Sequence, residues 1–500
     1  MIKEKEDNAI EQLALDTITI GKQAIIFTPS RASAEKTAQD ISKLTSLDLP
    51  ELEKEILKAL STPTTQCRKL SHCIKKGIAF HHAGLAQKQK DLIEEEFKTG
   101  NLRIICCTPT LAAGLSLPAF RVIIKSLKRF TGHGMDWIPV LEYLQMAGRA
   151  GRPEYEKEGQ SIIIASDEEQ KEEVYDKYIL GQPEEIYSKL AVEPVLRTYL
   201  LSLISSGIIR NEKSMYEFFS RTFWAQQFGD LAKLKAIMQK MLVLLQGWGF
   251  ITIENSPEDN NYNQRTPQGN QQEKKQINQQ ENSDYNGFVS ANTLSISPKK
   301  KSDNILTENS HLPIKSNQSI PGKNLKPTIL GKRISELYLD PLTAKHFLDS
   351  FQGFDQNKTT FSLLQMISHT LELRPLLRTK AKEQNSIQET IAKNCNTLLK
   401  PEPSVFDIEY PEFVNSIKTA LFFEAWINEY DEDYLLEHYD IRPGEIKAKL
   451  ETADWLLYAS AELAKICNHR ALNQEINKVR IRIKHGIKEE LLALIKLKGV

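Results

Sequence analysis

Short apolar runs alternating with amphipathic segments occupy the first third of the chain. QAIIFTPS, Gln23 to Ser30, is an apolar strand that ends in a turn, and the following SAEKTAQDISKL spaces its apolar residues as a helix does. GIAFHHAGL, from Gly77, repeats the passage from strand to loop. QKQKDLIEEEFKTG supplies the next helix, and RIICCTP is apolar on both faces, as a central parallel strand must be. Strand and helix alternate in the doubly wound manner, which predicts an α/β domain on a parallel sheet. Near residue 121, VIIKSLKRF, the turn-like TGHG and MDWIPV read together as a hairpin ahead of the helix carrying LEYLQMAG, and SIIIAS, 161–166, closes the sheet.

From Pro183 to about Ile253 the periodicity turns helical. LAKLKAIMQKMLVLLQGWGFITI reads as a helix ending in glycine and then a short strand, a winged-helix pattern. The pattern then collapses: 14 of the 28 residues from Asn255 to Asn282 are Asn or Gln, with Tyr262 and Ile277 the only sizeable apolar groups. Such a stretch cannot bury enough surface to offset its ordering entropy, so 255–325 is expected to be a disordered insertion. Order resumes at PTILGKRISELYLDPLTA, and the chain is helical to about residue 480. IRIKHGIKEELLALIKLKGV is expected to begin a further helical unit.

Length and composition narrow this picture. Five hundred residues exceed one ordinary core, and 65 basic against 65 acidic residues leave no net charge, so any polyanion-binding surface is local. Six cysteines without a CxxC pair argue against a disulfide framework and a zinc knuckle, and fit a reducing cytosol. His81 and His82 lack a nearby Cys or carboxylate cluster to complete a ligand set, so no metal site is expected and the pair reads as loop contacts. No window reaches the roughly 18 apolar residues of a membrane span, so the expectation is a soluble protein without membrane contact.

The chemistry concentrates at strand ends. QMAGRAGRP, Gln145 to Pro153, sets Arg149 and Arg152 one helical turn apart, projecting the same way among small residues that let the backbone pass close to a neighbour. Two such guanidiniums suit charge spread over phosphate oxygens, although Gly-Arg pairs are also common in loops and ordinary salt bridges. TPTLAAGLSLPA, Thr108 to Ala119, places hydroxyls and amides above the sheet, where phosphates of a nucleic-acid backbone dock. FHHAGL and TPSR fall at the same sheet edge.

With these residues in view, the chain resembles the C-terminal part of a superfamily 2 helicase of the superkiller-like branch. Within it the chain is most similar to the archaeal Hjm-type DNA helicases, relatives of the polymerase-theta helicase. IIFTPSRASAEKTA, AFHHAGL, TPTLAAGLSLPA and QMAGRAGRP carry the resemblance in the second motor domain. FFSRTF, LGKRISELYLDPLTA, ISHTLELRPL and ETADWLLYASAELAKI carry it beyond. The resemblance implies a RecA-like α/β motor domain over 1–182 and a winged helix over 183–254, completed by 326–340 after the insertion. An all-α ratchet domain follows over 341–480, with the start of a truncated helical domain at 481–500.

It also implies roles. Arg149 and Arg152 reach the ATP phosphates across an interdomain cleft, with Gly148 allowing close passage, and Gln145 helps couple nucleotide to nucleic acid. Thr108 and Gly114 belong to the loop that holds the strand backbone, and Thr28, Arg31 and His82 are further strand contacts. The segment with Lys125, Lys128 and Arg129, and with Phe130 and Trp137, matches the hairpin that parts the duplex. Its side chains are of the types that grip phosphates and stack on bases. Trp455 matches an aromatic that stacks on the single strand, although a tryptophan on an apolar helix is more often core. Two departures stand out: Ala448 lies where the pattern has a basic residue two turns before Trp455, and Ser116 replaces an Asn.

No GxxxxGK[ST] loop or DExH box occurs in these 500 residues. The expectation is therefore the C-terminal portion of an ATP-dependent 3′ to 5′ DNA helicase. It would act on single-stranded and forked DNA in the cytoplasm at the nucleoid, sharing ATP and Mg²⁺ with a first motor domain supplied by the complete gene or by a separately encoded chain. Two alternatives stand beside it: an ATPase-dead module that clamps single-stranded or forked DNA, and an RNA helicase fragment of the same branch.

Overall fold

The computed structural model describes residues 8–60, 63–114, 117–131, 134–151, 158–229, 231–254, 323–355 and 358–496. They form two compact units: the first joins 1–186 to 429–451, and the second joins 187–428 to 452–500.

In the first unit the expected parallel sheet is present. Its strands are β1 (Ala24–Phe27), β2 (Ile78–His81), β3 (Ile104–Cys107), β4 (Arg121–Ile124) and, after the ribbon β5 (Lys128–Thr131) and β6 (Gly134–Trp137), β7 (Gln160–Ile163). The order is β2-β3-β1-β4-β7, all neighbours parallel, with Ala24 in register with Ile104 on one side and Arg121 on the other. The first four of the sheet strands are buried at every position, whereas the edge strand β7 is partly exposed. This is why isoleucine, valine and cysteine fill the former and Gln160 and Ser161 begin the latter.

Helices α1 (Ala9–Thr19), α2 (Arg31–Ser42), α3 (Pro50–Leu57), α4 (Thr65–Lys75), α5 (Gln87–Lys98), α6 (Thr110–Gly114), α7 (Val140–Ala147) and α8 (Glu168–Val174) accompany the sheet. Local chemistry starts two of them: Ser30 accepts from Ser33 N at the head of α2, and Thr64 from Cys67 N at the head of α4. Arg121, only 3% exposed, fastens α1 to the sheet by donating to Leu13 O, Asp16 and Thr17 Oγ1 at 3.0, 2.9 and 2.7 Å.

The hairpin is shorter than its sequence suggested. Arg121–Ile124 is an inner strand of the parallel sheet, and only Lys128–Thr131 and Gly134–Trp137 pair antiparallel. A valine-isoleucine run buried on both faces gains more in the core than on a projecting ribbon. Lys125 consequently lies at the end of β4, its Nζ donating to Thr37 Oγ1 at 3.0 Å, and not on the hairpin.

The second unit opens with α9 (Glu193–Ser205), α10 (Glu212–Ser220), α11 (Phe223–Phe228) and α12 (Leu231–Gly247). A two-stranded antiparallel ribbon follows, β8 (Ile251–Glu254) with β9 (Asn324–Pro327). Most of the expected insertion, 255–322, lies outside the described residues. Its expected last residues, Asn324 and Leu325, already belong to β9, where Leu325 pairs with Ile253. Then come α13 (Ile329–Glu336), α14 (Pro341–Gln352), α15 (Thr360–Ser368), α16 (Gln384–Asn394) and α17 (Tyr410–Ile427). Helix α18 (Glu432–Tyr439) and the beginning of α19 (Pro443–Ile466) count with the first unit, and the rest of α19 and α20 (Arg470–His485) with the second. The expected boundary at 481 falls inside α20, which runs on to Gly486 in the left-handed conformation at φ 62. Among the described residues no helix is long and apolar enough to cross a membrane.

Two inward-facing histidines of the second unit, His346 and His369, stand 5.7 Å apart edge to face, and His81 of the first is 6% exposed. Burial, with nearby lysines, holds His346 down at about 3, and His81 and His369 at about 4. Each is neutral when folded but protonates near 6.5 when unfolded, so its contribution is whole above that pH and is lost as pH falls toward 4. The cost is roughly 2 kcal/mol per histidine at pH 5. The urea midpoint is therefore expected to drop clearly between pH 7.5 and pH 5. An unchanged midpoint would show these rings to be hydrated.

Candidate functional site

All strands of the sheet run the same way, so the loops after β1, β2, β3 and β4 meet at one edge, where open α/β sheets place ligands. The segment after α7 joins them. Arg149 Nη2 donates to the carbonyl of Ala112 on α6. The backbones are stitched as well: Ala119 N donates to Arg149 O at 2.9 Å, Gly151 N donates to Ala119 O at 2.7 Å, and Ala119 and Ala150 form a parallel bridge. QMAGRAG, from Gln145, and TPTLAAG, from Thr108, though separate in the chain, are thus tied together.

Helix α7 ends at Ala147, Gly148 closes it, and Gly151 takes φ 94, so Arg149 lies in the turn and bridge of 148–151 and not on a helix. Arg152 lies outside the described residues, as does Ser116. Gln145 and Gly148 are exposed on the end of α7, and Arg149 is half-buried. With one N–H committed to Ala112, the remaining donors of its guanidinium suit phosphate oxygens. Just before α6, Thr108 Oγ1 stands 2.9 Å from Thr110 Oγ1 at the head of the helix, and Gly114 ends it.

Three expected strand contacts are otherwise engaged. Thr28 is 1% exposed, and its hydroxyl donates to Ser30 O and Cys107 O at 3.1 and 3.2 Å, holding the turn after β1. The His82 side chain is fully buried. Its Nδ1 accepts from Gly84 N at 3.2 Å, its Nε2 is 3.2 Å from Glu35 Oε1, and the ring stacks on Phe80 at 5.6 Å. Glu35 draws the ring inward, so it cannot serve as a loop contact. Arg31 pairs with Glu445.

Glu35 is the hub that sequence reasoning missed. Its Oε1 takes Gln66 Nε2 at 3.0 Å, lies 3.2 Å from His82 Nε2 and 3.4 Å from Arg442 Nε. Burial pushes this carboxyl upward, but His82, Gln66 and the Arg442 charge outweigh it and hold the pKa at about 2. Arg442 N in turn donates to Glu445 Oε2 at 3.1 Å, and Gly444 N to Gly84 O at 3.1 Å. A side chain on Gly444 would put its Cβ 2.4 Å from the carbonyls of both Ala83 and Leu85, so only glycine permits this approach. No local motif marks the set, because its halves are some four hundred residues apart.

On the hairpin, Arg129 Nη1 makes two bonds to the Glu142 carboxylate, at 2.8 and 2.9 Å, and Lys128 Nζ sits 4.1 Å over the Trp137 ring. The outward groups are Phe130, 71% exposed, and Met135, 61% exposed, the latter unnoticed in the sequence. In the second unit Trp455 is half-buried on α19, its indole N–H donating to Leu337 O at 3.2 Å.

Among the described residues no three His, Cys, Asp or Glu side chains stand together as a metal would require. The donor set therefore fits part of a nucleotide site, a guanidinium for phosphate, but not a cradle for Mg²⁺ and triphosphate.

Residues 5–154, which carry the parallel sheet and both loops, match the family model described as the helicase conserved C-terminal domain. Residues 361–486 match archaeal helicase, domain 4. Over nearly its whole length the chain is similar to proteins named ATP-dependent DNA helicase Hel308. That of Methanococcus vannielii is 32% identical, over 100% of this chain and 63% of the relative. Those of Pyrococcus abyssi and Pyrococcus horikoshii are each 33% identical, over 98% and 99% of this chain and 59% and 60% of the relative. The chain thus spans about three fifths of the length of these relatives.

Proposed function

We propose that the chain is the second motor domain, winged helix and ratchet of an ATP-dependent DNA helicase that moves 3′ to 5′ on single-stranded DNA and opens forked duplexes. The observation that carries this reading is the bond from Arg149 to Ala112 O, with the backbone bridge beside it. A guanidinium that answers to a nucleotide phosphate is tied to the loop placed to hold a nucleic-acid strand, so a pull on either moves the other. The relatives' printed function supports ATP and DNA as the ligands. In this reading Arg149 and Arg152 complete an ATP site whose phosphate loop and Mg²⁺ carboxylates come from a first motor domain, and Gln145, Thr108 and Gly114 relay its state. Phe130 and Met135 form the wedge, with Lys128 and Arg129 bracing its base. α9 to α13 with the β8–β9 ribbon are the winged helix, and Trp455 stacks on the strand.

The missing GxxxxGK[ST] motif favours a second reading, a DNA clamp without ATPase activity. Mixing the purified chain with a first motor domain bearing that motif separates the two. ATP hydrolysis stimulated by single-stranded DNA is expected from the mixture, none from the chain alone. Arg149→Ala is expected to lower it at least about a hundredfold, while affinity for oligothymidylate stays near wild type and falls steeply with salt. Hydrolysis by the isolated chain, or full hydrolysis with Arg149→Ala, would overturn the assignment.

A further inference from the structure

Tyr338 is the most unusual aromatic of the second unit. It is 84% exposed and holds φ 55, a left-handed conformation that a bulky side chain adopts only where its surroundings impose it. The surroundings are well defined. Tyr338 N donates to Ser335 O at 3.1 Å at the end of α13, and Leu339 N to Ile334 O at 3.2 Å, while Leu337 and Leu339 on either side are buried. The chain therefore pins both neighbours inward and turns the phenol out.

The place where this happens matters. Leu337, the residue immediately before, gives its carbonyl to the Trp455 indole N–H. One turn back, Arg333 bonds Glu462 at 2.6 Å and the Tyr458 hydroxyl at 3.3 Å, so α13 is braced along α19. Arg480 closes the other side, 4.8 Å over the Tyr458 ring and paired with Asp454 at 2.8 Å. A fixed indole and, one residue beyond its partner carbonyl, an outward phenol thus lie by three carboxylates, Glu336, Glu462 and Asp454, that are held by two arginines, Arg333 bridging the first two and Arg480 pairing with the third. Largely compensated charge and an exposed phenol favour a nucleobase, which stacks on any aromatic face whatever its sequence.

We propose that Tyr338 is a second base-stacking side chain of the single-strand path, acting beside Trp455. The inference rests on the DNA-binding reading above. Its test is fluorescence anisotropy of the full chain with labelled oligothymidylate and with an abasic strand of equal length. Tyr338→Ala is expected to bind oligothymidylate about tenfold more weakly, Tyr338→Phe within about twofold of wild type, and all three proteins are expected to bind the abasic strand alike. Tyr338→Gly, which suits φ 55, keeps the test valid if the alanine variant melts early, and is expected to show the same loss at an unreduced melting temperature. If wild type binds oligothymidylate and both small variants bind as well, or if they lose equally on the abasic strand, Tyr338 does not stack. If wild type does not bind the strand at all, the functional reading fails and this inference with it.

Discussion

Glu35→Ala is expected to lower the stability of the chain by roughly 3 kcal/mol, because it leaves Arg442 and the buried His82 without their shared carboxylate. The side chain is 12% exposed and its Oε1 has Gln66, His82 and Arg442 around it. Removing it strands three groups at once, and water cannot reach His82 to replace it. The folded pKa of about 2 is below the ordinary 4.5, so the stabilisation is present above pH 4.5 and is lost as pH falls toward 2. Urea unfolding at pH 7 therefore reads the full loss. Glu35→Gln, which keeps the shape without the charge, is expected to recover part of it. A wild-type midpoint for Glu35→Ala would mean that the cluster is solvated and that residues 442–445 are held by the Gly444 approach and the Arg31–Glu445 pair without it.

Gly331→Ala is expected to be at least as damaging, at about 3 kcal/mol or more, since nothing flexible lies in the way to yield. A Cβ at this position would stand 1.9 Å from Phe250 O and 2.8 Å from Phe250 C. Both are backbone atoms of the turn into β8, itself fixed by Thr328 N donating to Phe250 O at 3.0 Å and Thr328 Oγ1 to Gly249 O at 2.8 Å. Either α13 moves away from the ribbon or its first turn unwinds. Thermal melting of the variant checks this. A melting temperature within a degree or two of wild type would show that α13 and the ribbon slide freely.

Much of the first unit was legible. Strands such as Ile104–Cys107 and Ala24–Phe27 are continuous apolar runs, and only the interior of a parallel sheet buries a backbone with such side chains on both faces. The hairpin was placed too early because VIIKS continues into KRFT without a strong turn residue, and periodicity cannot say where one strand leaves the sheet and another begins. The candidate site was legible as a set of loops but not as a set of contacts. The sequence pointed to Arg149, whose tie to Ala112 depends on how α7 ends. It offered Thr28 and His82 as strand contacts, although short polar residues at strand ends serve equally well to satisfy buried backbone atoms. Glu35 carried no signal, since one glutamate in an amphipathic helix resembles any other until Arg442 is folded against it. Glu142, the partner of Arg129, was hidden for the same reason.

The ribbon bears on how this molecule tolerates change in its own length. Glu254 pairs with Asn324, the last rung before the long polar stretch and the first one after it. Whatever its length, that stretch leaves and re-enters the protein at a single ladder step, and the cost of closing such a loop grows only with the logarithm of its size. Evolution could therefore lengthen, shorten or delete it without shifting the register of either strand, and an Asn-Gly turn would suffice to join them. The ribbon is a port in the fold, through which sequence can be added or removed while the helices on both sides keep their places.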